Sequence, residues 1–186
     1  MRLRWAIAGT AALALAVLTL PTGLTPSHAH AHGATGGEML LAPACDAEAR
    51  PADYDFTMED MDGNDVEFAS LKGKVVLLNF WATWCGPCKI EIPWFVEFAE
   101  QYKDDGLLVD GVSLDDTADK IKEFSAQYDV TYPMLVGLGR EDFQESYGPI
   151  WGIPMTFFVD REGTLCRTHA GIATREDFEK DITDLL

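Results

Sequence analysis

Residues 74–80, Lys-Val-Val-Leu-Leu-Asn-Phe, form an almost unbroken apolar run, and shortly after it comes Cys85-Gly86-Pro87-Cys88. A continuous run of this length reads as a central strand buried on both faces. Beyond the cysteines, Ile90, Ile92, Phe95, Val96, Phe98 and Ala99 recur at helical spacing as far as Tyr102. Pro93 is expected to kink that helix without ending it, because the apolar pattern resumes after it. Residues 107–113 read as a second buried strand, and strand, helix, strand implies a parallel crossover. A chain built this way puts the cysteine pair at a strand-to-helix junction.

The remaining pattern completes an α/β order. Asp55-Phe56-Thr57 and Val66-Glu67-Phe68 flank the turn residues Asp62-Gly63-Asn64, which predicts a small β-hairpin in front of the core. Ile121, Phe124 and Tyr128 share one face of a second helix, and Met134-Leu135-Val136 and a short amphipathic stretch at 143–147 follow it. Residues 155–159 and 165–168 surround Asp160-Arg161-Glu162-Gly163, a hairpin with its turn residues in place. Thr174 and Asp177 resemble a capping box opening a last helix, with Phe178, Ile182 and Leu185 on one side. The expected order is β-α-β-α-β-β-α, with a hairpin in front and no internal repeat.

Length and charge narrow the function. The chain has 186 residues, 31 acidic against 14 basic side chains and a formal net charge of -17. This suits one domain with an appendage and disfavours a nucleic-acid surface, which needs clustered Lys and Arg. Arg2 and Arg4 precede an apolar run over residues 5–20, and Ala29-His30-Ala31 offers an Ala-x-Ala cleavage site. The run falls short of the roughly 20 residues that span a bilayer, so residues 1–31 read as an export signal, with an uncleaved anchor as the alternative. Residues 32–51, rich in Gly, Ala and Pro, read as a loose lead-in, and 52–186 as the folded domain. His28, His30 and His32 are not read as a metal-binding string, because a cut after Ala31 removes two of them with the signal. The expected place of work is periplasmic or otherwise outside the cytoplasm, where disulfides persist.

Cysteines three positions apart at a helix N-terminus have a chemical logic. Free N–H groups and the helix dipole there favour an anion, so the thiol of Cys85 should ionise readily. The thiolate is the nucleophile of disulfide exchange. Cys85 is therefore expected to attack, while Cys88, one turn in and less exposed, resolves the mixed disulfide. Gly86 and Pro87 shape the turn, Pro87 with its φ preset for the first helical turn. A closed zinc site would need four ligands, and Cys45 and Cys166 are isolated singles. No metal and no cofactor is expected.

The stretch Phe80-Trp81-Ala82-Thr83-Trp84-Cys85-Gly86-Pro87-Cys88, with Gly152-Ile153-Pro154-Met155-Thr156-Phe157 downstream, resembles the thioredoxin superfamily and specifically its exported TlpA/ResA-type branch. The match runs from about Asp55 to the C-terminus. The resemblance implies a thioredoxin fold: three layers, α/β/α, around a central mixed sheet, with an N-terminal β-hairpin extension. It implies that the Ile153-Pro154 bond is cis and lies against the sulfurs, and that Trp84, Gly86, Pro87, Ile153 and Pro154 form the groove for an extended substrate peptide. Asn79 stands where thioredoxin itself carries a buried Asp that handles the resolving cysteine's proton. Members of the ResA-type group place a Glu where Glu91 stands here, one turn beyond Cys88, with a similar role. A partly buried carboxylate there would have a raised pKa and could exchange a proton with Cys88.

Cys45 and Cys166, left over in an oxidising compartment, are expected to form a structural bridge, as in some TlpA-like proteins; two free thiols, or a lipid on Cys45 despite a poor lipobox, are the alternatives. The implied function is an extracytoplasmic thiol-disulfide oxidoreductase that reduces protein disulfides, acting as a monomer. The family's substrates include apocytochrome c and copper-site proteins, and a membrane thiol donor would regenerate the dithiol. The rivals are a Cu(I)- or haem-handling metallochaperone using the same two thiols and, more weakly, a thiol peroxidase, whose upstream Pro and Thr pattern Thr83 does not reproduce.

Overall fold

The computed structural model describes residues 45–186; the expected signal, the three histidines and most of the lead-in lie outside the described residues. In chain order the elements are β1 (Arg50–Pro51), β2 (Thr57–Glu59), β3 (Asp65–Glu67), a 3-10 turn at Phe68–Leu71, β4 (Val75–Trp81), α1 (Cys88–Gln101), β5 (Leu107–Ser113), α2 (Ala118–Gln127), β6 (Met134–Val136), α3 (Glu141–Ser146), β7 (Met155–Val159), β8 (Thr164–Ala170) and α4 (Arg175–Leu185). The main sheet has the order β1-β8-β7-β4-β5-β6, and β2 with β3 forms a separate hairpin. β5 runs parallel to β4 and β6 parallel to β5, while β7, β8 and β1 are antiparallel to their neighbours. This is the mixed sheet of a thioredoxin fold.

β4 is buried at all seven positions, as its apolar run requires, and alternation divides its side chains between two cores. Val75, Leu77 and Trp81 enter one core, with Ile92, Phe95 and Phe98 of α1, Ile121 and Phe124 of α2, and Phe178 and Ile182 of α4. Val76, Leu78 and Phe80 enter the other, with Phe143 of α3, Phe68 and Leu71 of the 3-10 turn, and Met58 of the hairpin. Helices therefore cover both faces. α1 continues through Pro93 to Gln101. At the last helix the capping box is complete: Asp177 N–H donates to the Thr174 hydroxyl at 3.1 Å, and its carboxylate accepts from the Thr174 N–H at 3.4 Å.

The structure departs from the sequence pattern at three places. Residues 134–136 and 141–146 are ordered as β6 and α3, so the core order gains a strand and a helix. β6 is only three residues long and pairs with the far end of β5, from Gly111 to Ser113, which is too short to show a period. Both strands of the front hairpin lie closer to its turn than Asp55-Phe56-Thr57 and Val66-Glu67-Phe68 predict, with Met58, between exposed Thr57 and Glu59, as the inward residue of the first. Asp60 then closes the turn, accepting the N–H groups of Asp62 and Asn64, each at 2.8 Å. Finally, Arg50 and Pro51 pair with Leu165 and Thr164 at the sheet edge, so the last residues of the expected lead-in belong to the fold.

That edge is tied down covalently, since Cys45 is bonded to Cys166 across a separation of 121 residues. Asp46 N–H donates to the Cys166 carbonyl at 2.8 Å and its carboxylate meets Arg167 at 3.1 Å. A cross-link closing so long a loop removes much of the unfolded chain's freedom. Replacing both residues by Ser should lower stability by on the order of 4 kcal/mol. Denaturant unfolding of the oxidised proteins checks this; an unchanged midpoint would show that the bridge carries no stability.

Candidate active site

The cysteine loop leaves the sheet at the end of β4, where Leu114 N–H holds the Trp81 carbonyl at 3.0 Å and Cys85 N–H holds that of Ala82 at 3.0 Å. Pro87 already has helical angles, φ -59 and ψ -37. α1 has no side-chain cap in the ordinary sense. Instead the Cys88 N–H donates to Cys85 Sγ at 3.2 Å, so the sulfur occupies the place where a helix N-terminus favours an anion. Cys85 and Cys88 are joined as a disulfide with Cα atoms 5.3 Å apart. Their exposures are 2% and 0%, so the expected difference in accessibility is small. What distinguishes the two is position: Cys85 precedes the helix and faces its free N–H group, whereas Cys88 lies inside the first turn. Around them Gly86 and Pro87 are exposed, and so is Trp84, whose indole N–H donates to Asp115 at 3.0 Å.

The Ile153-Pro154 bond is cis. Met155 pairs with Phe80, which sets Pro154 beside Trp81 at the end of β4 from which the cysteine loop departs. The Pro154 carbonyl accepts the Gly171 N–H at 2.8 Å. Two residues on, the Ala173 N–H donates to Glu91 Oε1 at 3.2 Å. One short loop thus touches both the proline segment and the acid of α1. Glu91 is fully buried, and its Oε2 has no hydrogen-bond partner among the described residues. Burial pushes its carboxyl from the ordinary 4.5 up to about 7, and the Ala173 N–H offsets only part of the rise. An acid poised near neutrality, one turn from a buried thiol, can take up or return a proton. Asn79 shares β4's face with Trp81 and donates to the Thr156 hydroxyl at 2.9 Å.

Among the described residues, the group of thiol, imidazole and carboxylate donors close enough to hold an ion is Cys45, Asp160 and Cys166. Its two sulfurs are bonded to each other.

Residues 50–167 match the model described as the AhpC/TSA family. The thiol-disulfide oxidoreductase ResA of Bacillus thuringiensis subsp. konkukian (strain 97-27) is 35% identical over 125 residues, 67% of this chain and 71% of that one. The chain belongs to the AhpC/TSA family, among the ResA-type thiol-disulfide oxidoreductases. A thiol:disulfide interchange protein from Chlorobium tepidum TLS superposes with a TM-score of 0.68 at 28% identity, covering 75% of this chain and 98% of that one. MTB dsbF, solved in mixed oxidized and reduced forms, gives 0.65 at 27% identity, covering 73% and 98%. The chain is thus a thiol-disulfide oxidoreductase of the kind that carries a redox-active cysteine pair.

Sequence reasoning missed two features, one at the cysteine loop and one inside β5. Asp115 and Asp116 follow β5 and grip the segment before Cys85; the available signal was their place at the carboxyl end of a parallel strand beside β4, where sites gather in α/β sheets. Asp110 interrupts the apolar run of β5, and a lone acid in a buried strand is itself a signal. It pairs with Leu78 and so faces the second core, 2% exposed, with Oδ2 unpartnered among the described residues. Burial raises it from 3.8 to about 7. Tyr132, whose buried hydroxyl is also unpartnered there, is pushed up by burial and then by the charges of Asp110 and Glu91.

Glu91 and Asp110 both hold protons more tightly in the folded chain than in the unfolded one. Between their ordinary values and about 7 the folded state carries the extra protons, so stability is greatest below that window and falls as pH rises through it. Unfolding measured from pH 4.5 to 8 should show this decline, and Glu91→Gln and Asp110→Asn should each flatten it. A wild-type curve rising across the window would contradict the assignment.

Proposed function

We propose that this protein is an extracytoplasmic reductase of protein disulfides, with Cys85 as nucleophile, Cys88 as resolving cysteine and Glu91 as the proton carrier. The observation that carries the reading is the Cys88 N–H aimed at Cys85 Sγ at the start of α1, with buried Glu91 one turn further on. The Cys85 thiolate attacks one sulfur of the substrate disulfide; that S–S bond breaks, and the departing thiolate takes a proton. Cys88 then gives its proton to Glu91 and attacks Cys85 Sγ, releasing the second substrate thiolate. Two electrons have passed to the substrate, leaving Cys85–Cys88 oxidised, and a membrane thiol donor restores the dithiol.

Direction and setting have separate support. Gly86-Pro87 between the cysteines and Ile153 before the cis-proline match reducing members of the family, where oxidants often carry His or Thr. The basic and apolar N-terminal stretch supports export, and no helix among the described residues is long and apolar enough to cross a membrane. The net charge of -17 would speed encounter with a basic partner at low salt. Apocytochrome c, whose haem-binding cysteines must be reduced, and copper-site proteins are the substrates proposed. Trp84, Gly86, Pro87, Ile153 and Pro154 form the groove that receives them, and Cys45–Cys166 serves as a structural staple.

Cys88→Ser should accumulate a stoichiometric mixed disulfide with a reducible substrate, and Cys85→Ser should lose turnover to background. Glu91→Gln should keep the fold while removing a step near pH 7 from the pH profile of Cys88 reactivity. Turnover persisting in Cys85→Ser would overturn the mechanism.

A further inference from the structure

The two acids after β5 differ in kind. Asp115 is exposed. Asp116 is 1% exposed and accepts three hydrogen bonds: from the Thr83 N–H at 2.7 Å, the Thr83 hydroxyl at 2.7 Å and the Ser113 hydroxyl at 2.8 Å. Burial alone would raise its carboxyl, but the bonds from Thr83 and Ser113, with the charge of Lys120, outweigh burial and hold it below the ordinary value. Asp116 is therefore a buried anion throughout the neutral range. Thr83 precedes Cys85 by two residues, a span of at most about 7 Å.

This arrangement acts on Cys85 in two ways. Residues 82–84 link β4 to the cysteine helix with little regular structure of their own, and Asp116 fixes Thr83 by main chain and side chain together. The charge acts as well. A buried anion is screened far less than an exposed one, so it raises the cost of a thiolate at Cys85 and favours the disulfide over the ionised dithiol. A pair whose reduced form is less stabilised is the stronger reductant.

We propose that Asp116 is a positioning residue for the reaction: its grip on Thr83 fixes the loop that presents Cys85, and its charge keeps the cysteine pair reducing. The proposal rests on Cys85 being the attacking sulfur. The other charged groups near the loop act differently. Lys89 of α1 and Lys120 and Glu123 of α2 line one cavity with Thr83, two cations against one anion, so together they favour a thiolate where Asp116 opposes it. Asp115 faces solvent, and Glu91 lies buried within α1.

The test uses Asp116→Asn, Asp115→Asn, Thr83→Val and Thr83→Ser. Ionisation of Cys85 is followed by thiolate absorbance in a Cys88→Ser background, and the pair is equilibrated with reduced and oxidised glutathione. Asp116→Asn should lower the pH at which Cys85 ionises and shift the equilibrium toward the dithiol by roughly threefold to tenfold, the size of one unit charge at this range and an intermediate dielectric. Asp115→Asn should move both far less. Thr83→Val, which keeps the charge but loses one bond, should lower kcat with KM and ionisation little changed, and Thr83→Ser should restore it. A folded Asp116→Asn with wild-type ionisation and equilibrium would overturn the proposal. So would an equal effect from Asp115→Asn. Should Asp116→Asn not fold, wild-type turnover in Thr83→Val overturns the grip on its own. Activity surviving in Cys85→Ser would instead remove the underlying reading, whatever Asp116 does.

Discussion

The pairing of β4 with β5, from Val75 with Leu107 to Trp81 with Ser113, is the interaction on which the site depends. It runs parallel, so both strands end at the same edge of the sheet. There β4 releases the cysteine loop and β5 releases Ser113 through Asp116, and the second loop holds the first through Leu114, Asp115 and Asp116. β7 pairs with β4 on the other side and brings the cis-proline to the same edge. Burial of all seven β4 residues makes this register costly to change, because a shift of one residue would exchange the contents of the two cores.

The electrostatics of the site are a contest within an acidic protein. The free N–H group at the start of α1 and the cation of Lys89 favour a thiolate at Cys85, while Asp116 opposes it. Glu91 is settled by burial rather than by charge, which keeps it near neutrality and able to exchange protons. Buried acids are normally paired or hydrogen-bonded. An acid as sparsely bonded as Glu91 lowers stability at the pH where it is useful, a cost of the kind proteins carry at working sites.

Much of the architecture was legible because β4 and most of β5 are apolar runs of strand length and α1 keeps a helical period on both sides of Pro93, and the spacing of Cys85 and Cys88 defines its own chemistry. The family motif pointed to Pro154 and Glu91 by position. What stayed hidden depends on tertiary context. Met58, outside the expected strand at 55–57, is the inward residue of the hairpin, and the three residues of β6 carry no period. Asp116 resembles any acid opening a helix until Thr83 is brought to it from the loop after β4, thirty-three positions away. Arg50 and Pro51 read as linker because Pro is poor in strands, yet an edge strand tolerates it.

The central claim is that the redox-active pair of this ResA-type protein works as a reductant. The reduction potential of the folded domain, obtained by equilibrating Cys85–Cys88 in a dithiothreitol series at pH 7, tests it most directly. The account predicts a value toward the thioredoxin end, about -270 mV. A value near that of a strong oxidant, about -120 mV, would contradict it.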